Sequence, residues 1–271
     1  MGKVFTVDVS KCNGCYNCQL ACKDEHATND WRPYAAQQPE IGHFWVKVRE
    51  NVGGTIPKVR IHYVAELCNH CAKPACADAC PNGAYSRRDD GLLILDPEKC
   101  KGCKACQAAC PYGAIYYNDE QGICQKCTGC AHLLDHGVIK PRCVEACPTD
   151  ALGFGDEADL QDFIVGATVR SPETGIGPRV YYRNIPGRFI GGTVYDPVIK
   201  EVVTGAKIRA TNGGKTYHVR SDEYGDFWFN DLAAGKYNVV IEATGYEYRA
   251  FEAVDATKDV NLGDIPLDKK A

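Results

Sequence analysis

Four groups of four cysteines, each ending in C-x3-C, leave this chain few ways to fold. The groups are Cys12, Cys15, Cys18, Cys22; Cys68, Cys71, Cys76, Cys80; Cys100, Cys103, Cys106, Cys110; and Cys127, Cys130, Cys143, Cys147. The first and third share the spacing C-x2-C-x2-C-x3-C, while the second widens its middle gap to four residues and the fourth to twelve. Three groups run straight into proline, at Cys80-Pro81, Cys110-Pro111 and Cys147-Pro148, whereas Cys22 is followed by Lys23. In all there are 17 cysteines among 271 residues; Cys124 is the one left over, and none follows Cys147. The sequence therefore divides into a cysteine-dense part and a cysteine-free part.

Cysteines at this density mean either disulfides in an oxidising compartment or metal ligation in a reducing one. The start, MGKVFTVDVSKC, has no apolar run of signal-peptide length, and no stretch of about 18 apolar residues follows. The expectation is a cytoplasmic protein with reduced thiolates and no membrane span. Export bound to a signal-bearing partner is the alternative. An odd cysteine count also fits poorly with complete disulfide pairing. A formal charge of −4 gives no reason to expect a nucleic-acid partner.

The spacing has a physical reason. A tight C-x2-C-x2-C loop wraps one cubane so that three thiolates meet three iron corners. The fourth cysteine, three residues on, starts a helix and ligates the neighbouring cluster. Zinc ribbons use two CxxC pairs and need neither the third cysteine nor C-x3-C-P, so iron–sulfur is expected over zinc. The unit VDVSKCNGCYNCQLAC (7–22) recurs as LDPEKCKGCKACQAAC (95–110). Groups two and three are joined by the hairpin-like AYSRRDDGLLILDPEK, as in a two-cluster ferredoxin, and are expected to exchange fourth cysteines. That gives Cys68, Cys71, Cys76 with Cys110, and Cys80 with Cys100, Cys103, Cys106. By elimination groups one and four pair across the sequence, giving Cys12, Cys15, Cys18 with Cys147, and Cys22 with Cys127, Cys130, Cys143. Four [4Fe–4S] clusters in a row follow.

Cys124 either substitutes for Cys127 or Cys130 or is a bystander thiol. Lys11, Lys23, Lys99, Lys101, Lys104 and Lys126 crowd the motifs, either raising cluster potentials or forming solvated surface. His70 could donate to a sulfur, while His26, His43, His62, His132 and His136 read as structural. No nucleophile elbow, phosphate loop, dinucleotide fingerprint or HExxH motif is present, so no catalytic residue is assigned. The protein reads as a conductor without a substrate site of its own. Residues 153–187 read as a Gly- and Pro-containing connector with one short helix near 156–164. From residue 188, seven short alternating strands with Gly and Asn turns indicate a β-sandwich, with Phe227, Phe229, Tyr237, Val239 and Ile241 in its core. The fold class is α+β: a ferredoxin-like part over 1–187 and an all-β part over 188–271.

The stretch QKCTGCAHLLDHGVIKPRCVEACPTDAL (125–152), with the other three groups, resembles the four-cluster iron–sulfur subunits of the dimethyl sulfoxide reductase superfamily. The residues DEH (24–26), Trp31, GHFW (42–45), CNHC (68–71) and PRVYYRN (178–184) are most similar to its phenol-ring branch, the small subunits of pyrogallol–phloroglucinol transhydroxylase type. This sequence departs from that type in its complete third cysteine group. The resemblance implies a large catalytic subunit holding a molybdenum or tungsten bis-MGD cofactor, and an external electron donor or acceptor. It also implies a chemistry on hydroxylated rings, of transhydroxylase, catechol dehydroxylase or resorcinol hydroxylase type. GDFWFNDLAAGKYNVVIEATGY (225–246) resembles transthyretin-like, carboxypeptidase-regulatory domains, which implies a docking or stabilising module. The alternatives are a free-standing polyferredoxin, the corresponding subunit of another superfamily reductase, or a docking subunit with structural clusters. The aromatic-rich insertion NDWRPYAAQQPEIGHFWVKVRENVGGTIPKVRIHY favours a permanent partner.

Overall fold

A computed structural model describes residues 2–270. The protein forms two compact units, one of residues 1–50 and 62–185, the other of residues 51–61 and 186–271. The expected division at 187/188 leaves residues 51–61 on the cysteine-dense side. They group instead with the all-β unit, because they are the tip of a hairpin whose side chains are anchored there.

The first unit is organised by short helical turns and small sheets. Strand β1 (Lys3–Asp8) precedes helix α1 (Asn17–Ala27), and the hairpin β2 (Val46–Thr55) and β3 (Lys58–Leu67) follows. Then come α2 (Ala75–Asp78), the hairpin β4 (Tyr85–Arg87) and β5 (Leu93–Leu95), and α3 (Ala105–Ala109). The hairpin β6 (Ile115–Asn118) and β7 (Ile123–Lys126) leads to α4 (Ala131–Asp135) and α5 (Arg142–Glu145). Strand β8 (Leu152–Asp156), α6 (Gln161–Ile164) and β9 (Val180–Arg183) complete the unit. Strand β1 is central in a three-stranded sheet, antiparallel to β8 and parallel to β9. The supposed connector is therefore integral to the first unit. Val180 and Tyr182 of β9 are buried in the same core as Phe5 and Val7, a role that a four-residue run does not advertise.

Helix length follows the residue after each fourth cysteine. Proline disfavours the helical conformation in the residue before it. Accordingly α3 ends with Cys110 extended ahead of Pro111, and α2 and α5 last a single turn. Cys22 has lysine after it, and α1 continues to 11 residues. The fourth cysteine thus ends a helical turn; the expectation that it starts one is corrected, since the helix begins at or just before the third.

The second unit has the strands β10 (Arg188–Asp196), β11 (Glu201–Val202), β12 (Lys207–Asn212), β13 (Lys215–Arg220), β14 (Asp226–Leu232), β15 (Lys236–Glu242), β16 (Arg249–Asp255) and β17 (Val260–Pro266). One sheet has the order β11-β10-β14, with β17 also paired to β10; the other has the order β13-β12-β15-β16. Alternation along each strand sends one row inward. Ile190, Phe227, Phe229 and Ile265 from the first sheet share a core with Ile208, Tyr237, Val239 and Ile241 from the second. The hairpin tip joins this unit through buried Lys58, paired with Asp226 and 5.4 Å from the Trp228 ring, and through Arg60 with Asp259 at 3.4 Å. Gly54 has φ +82, and a Cβ there would meet the Lys58 carbonyl.

Removing the buried Phe229 ring leaves a cavity in this core. Phe229→Ala is expected to destabilise the β-unit by about 3–5 kcal/mol, read by urea denaturation with Trp228 fluorescence, while iron per protein stays at the wild-type value.

Candidate metal centres

The cysteine loops share one backbone device. The third residue of each C-x-x-C turn that opens groups one, three and four is glycine with positive φ: Gly14 at 72°, Gly102 at 67° and Gly129 at 64°. Glycine takes this conformation without steric cost. Group two has His70 there instead, at φ 43°. The strain is offset locally, since His70 is buried, its Nδ1 accepts the Leu93 N–H at 3.0 Å, and its ring stacks on Phe5 at 6.1 Å. Burial, with the positive charges of Lys126, Arg87 and Arg179, holds this imidazole well below its usual range. It is therefore neutral, and with Nδ1 accepting, the proton sits on Nε2.

All 17 cysteines are free thiols. They gather across the sequence rather than within groups. Cys12, Cys15, Cys18 and Cys147 line one cavity with Tyr16, Val48, Ala65 and Leu152. Cys22 faces Cys127 and Cys130, and Cys143 faces those three. Cys71 faces Cys68, Cys76 and Cys110. Cys80, Cys100 and Cys106 pack in one small core that also takes in Cys76, Cys110 and Cys124, while Cys103 is exposed. Among the described residues no three His, Cys, Asp or Glu side chains converge on a single ion.

The four sets also have an order. Cys22 and Cys143 both reach Cys18, Cys127 reaches Cys68, and Cys76 reaches Cys106. The sets therefore follow one another from the first to the fourth. Cys15 at one end and Cys103 at the other are the exposed thiols, while every cysteine of the second set is buried.

Burial is what makes these thiols demand a cation. Burial and then the neighbours Cys12, Cys147 and Cys15 push the Cys18 thiol up to about 12. Burial and adjacent thiols likewise raise Cys71 and Cys76 to about 12, and drive Cys22 and Cys143 well above their usual value. Four thiolates can share such a space only when a positively charged group compensates them, which is what an iron–sulfur core supplies. Backbone N–H groups add support: Gly129 donates to Cys127 Sγ at 3.3 Å and Ala151 to Cys147 Sγ at 3.2 Å. At Cys147, burial alone would raise the thiol, but N–H donors from Leu152, Thr149 and Ala151 outweigh it and the value falls.

The spare Cys124 is buried and belongs beside the fourth set, with its N–H on Cys100 Sγ at 3.4 Å and its thiol against Cys106. Sequence spacing tied it to Cys127 and Cys130, whereas the β6–β7 hairpin carries it to the other side. Behind the second set lies an aromatic cluster. Trp31 stacks on His132 at 4.3 Å, His26 meets Trp45 at 4.6 Å, and Glu25 bonds His132 at 3.0 Å and Arg142 at 3.2 Å. Burial holds His26 down at about 4, so it too is neutral. These two tryptophans of the insertion are therefore spent inside the unit, while Ile41 remains at the surface, 88% exposed.

Known proteins match both units. Residues 59–157 match the model of the 4Fe-4S dicluster domain, residues 9–28 that of the 4Fe-4S binding domain, and residues 190–268 that of the carboxypeptidase regulatory-like domain. The sequence is 38% identical over 273 residues to the pyrogallol hydroxytransferase small subunit of Pelobacter acidigallici, covering 97% of this protein and 98% of that one. It is 36% identical over 196 residues to the second subunit of the sulfite dehydrogenase of Allochromatium vinosum, covering 66% of this protein and 81% of that one. A 157-residue match at 40% identity is to an anaerobic dimethyl sulfoxide reductase component of Escherichia coli K12, with 58% and 75% covered. No helix among the described residues is long and apolar enough to cross a membrane. With its thiol-lined path and these relatives, one of them matched over nearly its full length, this protein belongs to the electron-transferring iron–sulfur subunits of the dimethyl sulfoxide reductase superfamily.

Proposed function

We propose that this protein relays electrons through four [4Fe–4S] clusters between a large bis-MGD catalytic subunit, with molybdenum or tungsten, and an external donor or acceptor. The substrates of the complex are hydroxylated aromatic rings, and its place is the cytoplasm. The ligand sets are Cys12, Cys15, Cys18, Cys147; Cys22, Cys127, Cys130, Cys143; Cys68, Cys71, Cys76, Cys110; and Cys80, Cys100, Cys103, Cys106. The observation that carries this reading is the cavity that Cys147 lines together with Cys12, Cys15 and Cys18, because it supports a ligand crossing between the first and fourth cysteine groups. The ring-substrate class rests on the near full-length similarity to the pyrogallol hydroxytransferase small subunit.

The protein's own contribution is positioning and insulation. The second set is wholly buried and the third half so, which keeps water from the middle of the path and a transferred electron on it. The exposed ends at Cys15 and Cys103 are where electrons enter and leave. The clusters, when bound, accept and release one electron at a time.

Two results test this. The native complex should contain about sixteen iron atoms per copy of this subunit, with molybdenum or tungsten in a co-purifying large subunit, and should turn over di- or trihydroxybenzenes. About eight iron atoms would contradict the four-cluster assignment, and a free protein that reduces many unrelated acceptors would favour a polyferredoxin. Second, Cys147→Ser and Cys22→Ser should each lower iron by up to about a quarter and abolish different electron paramagnetic resonance signals. Loss of the same signal from both variants would contradict the crossing.

A further inference from the structure

Of the six lysines around the cysteine motifs, Lys11, Lys99, Lys101 and Lys104 are exposed, and solvent and salt screen their charge. Lys126, the last residue of β7, is different: it is 2% exposed. Its Nζ donates to the carbonyl of Leu93 on β5 and to that of Cys127 at 2.8 Å. No Asp or Glu pairs with it among the described residues. Two carbonyls orient an ammonium but do not neutralise it, and burying a cation without a counter-charge costs several kcal/mol. The counter-charge must come from what faces it. Lys126 acts on the thiols of Cys127 and Cys76 and on His70, which is neutral and offers none. Cys127 belongs to the second set and Cys76 to the third, and these sets meet where Cys127 reaches Cys68. Lys126 therefore stands at the junction of the two middle sites.

Other cations nearby are committed or wet. Arg179 pairs with Glu157 at 3.3 Å, and Arg87 is exposed and bonds the Gly91 carbonyl at 2.8 Å. Lys23 is also buried, but Cys22 of the second set is the one thiol that acts on it, and it is held by Gln38 and Pro39.

We propose that Lys126 is the residue that sets the reduction potential in the middle of the relay, its fixed charge favouring the reduced form of the second and third clusters. Each one-electron reduction adds one negative charge next to an ammonium that has no acidic partner, and the electron comes from the adjacent cluster. Without this charge, two anionic clusters in a water-poor interior would repel the incoming electron. The middle of the path would become an energetic barrier between its two open ends. The inference rests on the cluster assignment proposed above.

The test is an electron paramagnetic resonance redox titration of the holo-complex carrying Lys126→Gln or Lys126→Met, with Lys126→Arg and the exposed Lys101→Gln alongside. Both neutral variants should keep wild-type iron, while their two middle clusters become at least about tenfold harder to reduce, a fall of about 59 mV for a one-electron couple. Lys126→Arg should restore the potentials and Lys101→Gln should leave the middle clusters unmoved. Neutral variants with full iron and potentials within about twofold of wild type would overturn the proposal. So would loss of iron from both, which would make Lys126 a structural post for the Leu93 and Cys127 carbonyls. A wild-type complex with fewer than four clusters would instead overturn the underlying assignment.

Discussion

The cysteine-dense unit depends on one helical turn used four times. In each group the third and fourth cysteines are four residues apart: the third sits in a helical turn, and the fourth lies further along α1 in the first group and just past the turn in the other three. That offset can present one thiol to one site and the next thiol to its neighbour. Under the proposed ligand sets, Cys18 and Cys22 on α1 do this at the start of the sequence, and Cys143 in α5 and Cys147 just past it do so at the end of the unit. The two turns would then exchange partners around one pair of sites, where α1 packs with α5 and β1 pairs with β8.

The same geometry explains why the unit cannot be understood without its cofactors. Its largest core contains Cys18, Cys22, Cys68, Cys127 and Cys143 alongside Phe5, Trp45 and Tyr182. Thiols buried this deeply and this close to one another resist ionisation, so loading iron and completing the core are thermodynamically linked. Positive charge inside the unit is correspondingly sparse and placed. Lys126 is held at the junction of the middle sites, and the neutral imidazoles of His26 and His70 pack against the loops without adding charge.

Much of this was legible in the sequence, because cysteine spacing, proline and glycine act locally. The spacing of the first loop led to Cys147, and the fold places Cys147 in one cavity with Cys12, Cys15 and Cys18. What was not legible depends on tertiary placement. Nothing in the local sequence of Lys126 distinguishes it from Lys99, which also precedes the first cysteine of a motif; only the hairpin packing buries one and exposes the other. Cys124 sits three residues before Cys127, yet β6–β7 turns it towards Cys100 and Cys106. Strands β8 and β9 were read as a connector because β8 is interrupted by Gly153 and Gly155 and β9 is only four residues long, and they are strands because β1 pairs with both. The all-β unit was easier, since its alternation is regular and its turns carry glycine, though the two-residue β11 and the hairpin tip at residues 51–61 lay outside that pattern.

The central claim is that four clusters stand in a row with crossed ligands, and an iron-edge anomalous difference map of the crystallised holo-complex tests it most directly. The account predicts four four-iron peaks in sequence, the terminal one bonded to Cys12, Cys15, Cys18 and Cys147 and its neighbour to Cys22, Cys127, Cys130 and Cys143. A map in which Cys22 shares a cluster with Cys12, Cys15 and Cys18 would contradict it.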